Sequence, residues 1–253
     1  MSRGVIGLSA LSFLLVVACS REESRVEKLD LASARPAAPA VAPTPPATVS
    51  CIGEPSAARF VVYLHGMDTE PPSDQEQHNR EVLAAVAKAR GVRFALPRAS
   101  RACPAQPGSV CWGWKFDDAE ATAATARIRV AAAQCFAGKA YGLLGFSNGG
   151  YLLNKLLRSC RLKATLPDAE WMISVGSAKF EGELEAEPKS LAGCGKLLLV
   201  SGREDTYNFD PKRHLFELLK AKGADAEHLE YAGGHVLEET ALKQALERVA
   251  KPE

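Results

Sequence analysis

Short apolar runs and amphipathic stretches alternate along the chain from about residue 59 onward. The apolar runs are rich in β-branched, aromatic and leucine residues and predict strands at 59–64, 92–96, 141–146, 170–175, 196–200 and 227–231. Apolar residues recurring every three or four positions predict helices at 74–90, 117–136, directly after 147, and at 211–222 and 236–250. This alternation predicts an α/β fold with a mainly parallel, doubly wound sheet of about six strands and helices on both faces.

The N-terminal pattern differs from this alternation. Residues 1–18 carry Arg3 and then an apolar run that is too short for a membrane span, which predicts a signal peptide. The run ends Val-Val-Ala-Cys at 16–19. This ending resembles the lipobox of bacterial lipoproteins, which implies lipidation of Cys19, and Ser20 beside it favours the outer membrane in that family's sorting rule. An ordinary secretory signal or a membrane anchor is the alternative.

Residues 19–50 are interpreted as a tether. A charged piece precedes an alanine- and proline-rich stretch at 36–46, which has no hydrophobic period and is expected to be extended and semi-rigid. Residues 51–253 then form one domain with room for a sizeable core. The net charge is +1, with basic and acidic residues interspersed, so no nucleic-acid partner is expected.

A serine lies where the predicted strand 141–146 gives way to a helix. Ser147 has Gly145 two positions before it and Gly149 two positions after it, which is the Gly-x-Ser-x-Gly pattern of a nucleophile elbow. Side chains at the two glycines would collide with neighbouring backbone in so tight a turn, and the strained turn lifts the serine hydroxyl clear of the sheet. The alternative is a glycine-rich turn with a bystander serine.

The predicted strand 59–64 ends in His65 and Gly66. A serine nucleophile generates a tetrahedral oxyanion that needs at least two hydrogen-bond donors. The backbone N–H of Asn148, directly after the serine, and that of Met67 are the predicted pair. His65 is interpreted as holding this loop rather than as a base, and a plain strand-end turn is the alternative.

A serine nucleophile also needs a neighbouring imidazole and a carboxylate that orients it. Of the five histidines, His235 follows the last predicted strand on a Gly-Gly turn and is the predicted base. Asp205 follows the strand 196–200 and is the predicted acid. Glu204 and Asp210 are its rivals, although Asp210 precedes a proline and is typical of a helix N-cap.

Six cysteines remain when Cys19 is set aside, and an even number in an exported chain favours disulfides. The expected pairs are Cys103–Cys111, Cys160–Cys194 and Cys51–Cys135. The cysteines show no Cys-x-x-Cys spacing, so the sequence does not indicate a metal site. Trp112 and Trp114 follow the short cysteine-bracketed loop; with His65 they are candidates for a substrate pocket, or they pack over the core beside a disulfide.

The order Ser147, Asp205, His235, together with His65-Gly66 and the elbow, resembles the α/β-hydrolase fold over about residues 51–250. It is most similar to small, lidless esterases of the polyhydroxybutyrate-depolymerase-like and feruloyl-esterase-like branches. The resemblance implies Ser147 as nucleophile, His235 as base and Asp205 as acid, with Met67 and Asn148 as oxyanion donors. The cap domain that often sets substrate choice is absent or very small, and the cysteine-bracketed loop is a departure from the pattern.

We therefore expect a serine hydrolase that cleaves small or polymeric carboxylic esters through an acyl-enzyme, with no cofactor or metal. We also expect a monomer, anchored by its N-terminal lipid in the bacterial cell envelope, at the outer membrane or the periplasmic face. A peptidase of the prolyl-oligopeptidase type is a second enzymatic hypothesis, although the chain is too short for a propeller. A non-catalytic lipoprotein that uses the fold as a binding module is the third, and the complete Ser, Asp and His set argues against it.

Overall fold

Strands and helices alternate along the part of the chain that the computed structural model describes, residues 49–101, 110–160, 162–178 and 190–249. The strands are β1 (Val49–Ile52), β2 (Arg59–Leu64), β3 (Asp68–Thr69), β4 (Val92–Pro97), β5 (Ser100–Arg101), β6 (Cys111–Gly113), β7 (Tyr141–Phe146), β8 (Ala169–Val175), β9 (Lys196–Gly202) and β10 (Asp225–Tyr231). The helices are α1 (Asp74–Arg90), α2 (Asp118–Phe136), α3 (Asn148–Arg158), α4 (Leu162–Thr165), α5 (Phe209–Ala221) and α6 (Glu239–Val249).

The main sheet has seven strands in the order β1-β4-β2-β7-β8-β9-β10. All neighbours run parallel except β1, which pairs antiparallel with β4 at the edge. The expected mainly parallel sheet is confirmed, whereas the expected number of about six strands misses β1. That strand has only four residues, none of them buried, so no hydrophobic alternation marks it. It begins at Val49 and includes the last two residues assigned to the tether.

Helices cover both faces of the sheet, as predicted. Apolar residues of α2, α3 and α5 pack on one face, where Ile128, Leu152 and Leu215 are fully buried. Apolar residues of α1 and α6 pack on the other face, as with Leu83 and Leu246. Every residue of β7 is buried, because this central strand has a helix layer on each side. The strand that carries the elbow is therefore held on all sides.

A second, small sheet is formed by three strands that the sequence did not predict. Its strands pair antiparallel in the order β3-β6-β5. These strands have two or three residues each, too few for an alternating pattern to be visible in the sequence. The small sheet connects the chain after Met67 to the tryptophan-containing segment, since Asp68 pairs with Trp112.

Two of the three predicted disulfides are confirmed. Cys51–Cys135 joins β1 to α2 across 84 positions, and Cys160–Cys194 joins the chain after α3 to the start of the β9 segment across 34 positions. Cross-links closing loops of these lengths each stabilise the fold by roughly 4 kcal/mol in the chain-entropy account. Cys111 is also disulfide-bonded, and Cys103, its predicted partner, lies outside the described residues.

The predicted signal peptide, Cys19 and most of the tether lie outside the described residues as well. Within residues 49–101, 110–160, 162–178 and 190–249, no helix combines the length and apolar character needed to cross a bilayer.

Candidate active site

Ser147 forms the turn between β7 and α3 and has a strained backbone. Its φ of 48° and ψ of −115° lie in a region that non-glycine residues rarely adopt, at a cost of about 1–3 kcal/mol. Two hydrogen bonds hold the turn: Ser147 N–H donates to Val175 O at 2.8 Å, and Tyr151 N–H donates to Ser147 O at 3.0 Å. The conformation is the one expected of a nucleophile elbow, with the serine side chain partly exposed.

Both elbow glycines are required by close backbone contacts. A Cβ on Gly145 would lie 2.5 Å from Gly149 O, and a Cβ on Gly149 would lie 2.1 Å from Leu64 O. Because these are backbone atoms of α3 and β2, neither contact can be relieved by moving a side chain. The steric reason given for the glycines from the sequence therefore holds in the structure.

Asp205 and His235 are in direct contact at the carboxyl ends of the strands. His235 Nδ1 lies 2.8 Å from Asp205 Oδ2, and the side chain of Asp205 is 2 % exposed, whereas that of His235 is 38 % exposed. The imidazole packs against Phe146, with 5.1 Å between ring centroids. It also borders Gly176, where an added Cβ would lie 3.0 Å from His235 Cε1. Phe146 precedes Ser147, so the imidazole and the serine share one rim of the sheet.

The hydroxyl of Ser147 is not hydrogen-bonded to His235 or to any other group among the described residues. Catalytic hydrogen bonds are often long in ligand-free enzymes and tighten when substrate binds. The arrangement therefore places an imidazole that a buried carboxylate orients on the same rim of the sheet as a partly exposed, strained serine.

Asn208 is a site residue that the sequence reasoning missed. Its Nδ2 donates to Asp205 Oδ1 at 3.1 Å and to Oδ2 at 3.0 Å, and its Oδ1 accepts from Tyr151 O–H at 2.9 Å. Burial raises the pKa of Tyr151, which keeps the phenol a donor. Asn208 fixes the carboxylate from the N-cap position of α5. The Asp-x-x-Asn spacing before the helix was the signal that could have revealed it.

The rival acids lie elsewhere. Glu204 and Asp210 are both exposed. The expectation that Asp210 caps a helix is wrong, because α5 begins at Phe209 and Asn208 occupies the N-cap position. Asn208 makes no side-chain cap bond there, since the Oδ1 that would accept such a bond accepts instead from Tyr151 O–H.

Two of the other histidines, His78 and His228, make polar contacts with groups outside the candidate triad. His78 Nε2 lies 3.1 Å from Leu237 O, and His228 Nε2 lies 2.9 Å from Ser201 Oγ. The predicted strand 227–231 begins two residues too late, because β10 begins at Asp225. His228 therefore lies in the middle of this strand, opposite Leu199. His214 lies within α5, as predicted.

His65 holds the loop after β2, as interpreted from the sequence. Ala99 N–H donates to His65 Nε2 at 3.0 Å, so the neutral ring carries its proton on Nδ1, which donates to Gly66 O at 2.6 Å. Burial lowers the pKa of His65, which favours this neutral form. The Gly66 carbonyl and the Met67 N–H belong to one planar peptide unit. Fixing the carbonyl therefore also fixes the direction of the Met67 N–H.

The loop with Met67 lies next to the elbow. A Cβ on Gly66 would be 3.4 Å from Ser147 Cβ, so glycine lets this backbone approach the serine. Gly149 N–H donates to His65 O at 3.1 Å, which ties the first turn of α3 to the same loop. The peptide groups of the two predicted oxyanion donors, Met67 and Asn148, thus belong to segments that are hydrogen-bonded to each other.

The residues considered for a substrate pocket have different environments. His65 and Trp114 are only 5 % and 3 % exposed, and their rings pack at 5.4 Å between centroids. They hold the loop rather than line an open cavity, which agrees with the alternative that the tryptophans pack over the core. Trp112 is partly exposed, and Arg98 lies over its ring at 4.9 Å.

A fully buried lysine lies one turn beyond Asn208. Lys212 Nζ donates to Ser174 O at 2.8 Å and to Val200 O at 3.1 Å. Burial lowers the pKa of Lys212 well below its usual value, and the negative charge of Asp205 opposes that shift. The ammonium group thus bridges carbonyl groups near the ends of β8 and β9 and interacts electrostatically with the candidate acid.

A buried carboxyl group lies behind the His65 loop. Glu76 Oε2 accepts from Tyr63 O–H at 3.0 Å, and Glu76 Oε1 lies 3.1 Å from Arg80 Nε. The group borders a cavity of about 50 Å³ that His65 and Asp68 also line. Burial raises the pKa of Glu76 from 4.5 to about 6, although Arg80 opposes the shift.

This shift predicts a pH-dependent stability. The folded state binds the Glu76 proton more tightly than the unfolded state, so this stabilisation is complete at low pH and is lost as the pH rises through 6. The change amounts to about 2 kcal/mol between pH 4 and pH 7. Urea unfolding of Glu76→Gln should lack this component, whereas exposed Glu81→Gln on the same helix should retain it. A stability difference between wild type and Glu76→Gln that is equal at both pH values would contradict the prediction.

Among the residues that the structure describes, no three His, Cys, Asp or Glu side chains lie close enough together to hold a metal ion.

Comparison with known protein families identifies the family to which this chain belongs. Residues 65–244 match the family model described as "Serine hydrolase (FSH1)", a span that includes the elbow, Asp205 and His235. The chain belongs to the serine hydrolase (FSH1) family. No curated protein sequence matches it significantly.

Solved structures place this serine hydrolase in the α/β-hydrolase fold. Esterase PE8 is 23 % identical with a TM-score of 0.57, and the alignment covers 80 % of this chain and 96 % of that one. Acyl-protein thioesterase 2 of Zea mays is 17 % identical with a TM-score of 0.55, covering 80 % and 97 %. The Bacillus cereus carboxylesterase is 15 % identical with a TM-score of 0.56, covering 80 % and 93 %. At these identities the similarity establishes the fold.

Proposed function

We propose that this serine hydrolase cleaves carboxylic esters through an acyl-enzyme, with Ser147 as nucleophile, His235 as general base and Asp205 as its orienting acid. The 2.8 Å contact between His235 Nδ1 and Asp205 Oδ2 is the observation that carries the proposal. It lies on the same rim as a serine in a strained elbow turn, which is the combination that serine acyl transfer needs.

The reaction has two half-reactions, acylation of the serine and hydrolysis of the acyl-enzyme. Ser147 Oγ attacks the ester carbonyl carbon while its proton passes to His235 Nε2, and the carbonyl oxygen becomes an oxyanion bound by the Met67 and Asn148 N–H groups. The intermediate collapses, the C–O bond to the alcohol breaks, and His235 delivers the proton to the leaving oxygen. Water then attacks the acyl-enzyme with His235 again as base, which releases the acid and restores the serine.

Asp205 gives the imidazole its direction. A carboxylate that accepts from Nδ1 keeps the proton on that nitrogen and leaves Nε2 free to accept from the serine. The imidazolium formed in each half-reaction is then stabilised by the adjacent negative charge. Asn208 supports this role, because its amide donates to both oxygens of Asp205 and prevents the carboxylate from rotating.

A thioester substrate is the second candidate, since one structural neighbour is an acyl-protein thioesterase. The two substrate classes differ in the second step. An alkoxide must be protonated by His235 as it leaves, whereas a thiolate, whose conjugate acid has a pKa of about 8.5, can leave unassisted. An ester with a poor leaving group therefore depends more strongly on the imidazole than the matched thioester does.

We also propose that the enzyme acts outside the cytoplasm as a lipid-anchored protein. The lipobox resemblance at Cys19 supports the anchor, and the Cys51–Cys135 and Cys160–Cys194 disulfides support an oxidising compartment.

The experiment combines a fluorophosphonate probe with a matched substrate series. The folded protein should be labelled stoichiometrically and should turn over p-nitrophenyl acetate, whereas heat-denatured protein should not be labelled. Turnover of an alkyl ester should exceed that of the matched alkyl thioester if esters are the substrates. The opposite ratio would favour the thioesterase candidate. Absence of both labelling and turnover would favour the non-catalytic binding module instead.

A further inference from the structure

Trp114 makes two hydrogen bonds to two different parts of the candidate active site. Its backbone N–H donates to Asn148 Oδ1 at 2.5 Å, and its indole Nε1–H donates to His65 O at 3.0 Å. The residue directly follows β6 and is almost fully buried. One residue of the segment between β4 and α2 therefore contacts the elbow helix through its backbone and the loop after β2 through its side chain.

These contacts close a ring of bonds. His65 O accepts from the Trp114 indole and also from Gly149 N–H, at 3.1 Å. Gly149 is covalently joined to Asn148, whose side chain returns to Trp114 N. Three hydrogen bonds and one peptide link thus connect the His65 loop, the start of α3 and the chain after β6. Displacing any one of these segments would stretch at least one bond of the ring.

The ring encloses the segments that carry both proposed oxyanion donors. Asn148 belongs to it directly, and Met67 lies two residues after His65. The chain beyond Met67 is held as well, because Asp68 pairs with Trp112 of β6. The segment containing β6 and Trp114 therefore fixes the Met67 loop at both ends. The distance between the two donor N–H groups depends on how rigidly this loop is held against α3.

Oxyanion stabilisation is sensitive to this distance. Donors must lie within about 0.5 Å of their productive positions, and removing one donor typically costs 10²–10³-fold in kcat. We propose that Trp114 is a positioning residue that fixes the spacing of the Met67 and Asn148 N–H groups, so that the oxyanion site is formed before substrate binds. This inference rests on the proposed acyl-transfer function.

Trp112 provides a matched control. It lies two residues before Trp114, within β6, but its Nε1 has no hydrogen-bond partner among the described residues. Its ring is instead covered by Arg98. Trp112→Phe and Trp114→Phe both remove an indole N–H from this segment. Only the second removes a hydrogen bond to the His65 carbonyl.

The test measures kcat, KM and the affinity for a trifluoromethyl ketone, which binds as a tetrahedral oxyanion adduct. Trp114→Phe should lower kcat about 10–100-fold and weaken the inhibitor by a similar factor, with KM within about threefold of wild type. Trp112→Phe should stay within about threefold of wild type in all three quantities. Rates are normalised to the sites titrated with a fluorophosphonate, so that loss of folded protein does not count as loss of kcat.

Asn148→Ala is the second variant, in case Trp114→Phe does not fold. It keeps the backbone N–H and suits the first turn of a helix, but it removes the acceptor of the Trp114 N–H. It should also lower kcat and inhibitor affinity together. If either variant folds and keeps the wild-type kcat per titrated site, the proposed positioning role is wrong. If the wild-type protein itself neither labels nor turns over ester, the proposed function fails instead.

Discussion

Ser147→Ala is expected to lower kcat for p-nitrophenyl acetate by about 10⁴–10⁶-fold and to abolish fluorophosphonate labelling. The substitution removes the atom that forms the acyl bond, and the remaining groups supply only binding and oxyanion stabilisation. KM should change little, because the serine hydroxyl contributes little to ground-state binding. The melting temperature should also stay close to that of wild type, since the Ser147 hydroxyl makes no hydrogen bond among the described residues.

The control for this prediction is Ser56→Ala, which alters an exposed serine outside the site and should keep wild-type kinetics. His235→Ala should resemble Ser147→Ala within about tenfold, because nucleophile and base act as one unit. Residual turnover above about one per cent of wild type in folded Ser147→Ala would show that the chemistry takes place elsewhere.

Asp205→Asn is expected to lower kcat by about 10⁴-fold while the protein stays folded. Both carboxylate oxygens accept hydrogen bonds: Oδ2 from His235 Nδ1 and Asn208 Nδ2, and Oδ1 from the Asn208 backbone and amide. An asparagine must place its NH₂ group at one of these two positions, where it meets a donor. If the NH₂ group faces His235, the ring proton must lie on Nε2, and Nε2 can then no longer accept the proton of Ser147.

The rival carboxylates supply matched controls. Asp210→Asn and Glu204→Gln make the same change from carboxylate to amide on exposed side chains a few residues away, and both should retain kcat within about twofold of wild type. Activity should be measured at several pH values, because a ring held in the wrong tautomer is not rescued at high pH. Wild-type kcat in Asp205→Asn would reject Asp205 as the acid.

The sequence predicted the centre of the main sheet well because the strands there are buried on both faces. The runs that became β7 and β9 are continuously apolar, and fully buried parallel strands have that composition. The ends of α1 were predicted for a local reason. Ser73 accepts from Glu76 N–H at the start, and Gly91 adopts a left-handed φ of 60° at the end, so both signals are encoded by single residues.

The elements that were missed depend on contacts made only in the folded chain. β1 is a short, half-exposed edge strand, defined by pairing with β4 and by the Cys51–Cys135 bridge. The roles of Asn208 and Trp114 depend on contacts with residues that are distant in the sequence. Asn208 contacts His235, 27 positions away, and Trp114 contacts His65, 49 positions away. No periodic pattern in the sequence encodes contacts of that kind.

The position of the Cys51–Cys135 bridge has a mechanical consequence. An antiparallel edge strand that is pulled from its free end opens one residue pair at a time, beginning here with Val49 opposite Pro97 and then Ser50 opposite Leu96. The third residue is Cys51, whose sulfur bond passes the load directly into α2. Force applied through the preceding chain would therefore stop peeling the sheet after two residues and be borne by a covalent bond. The domain can therefore withstand a pulling force on its N-terminal end without unfolding from that end.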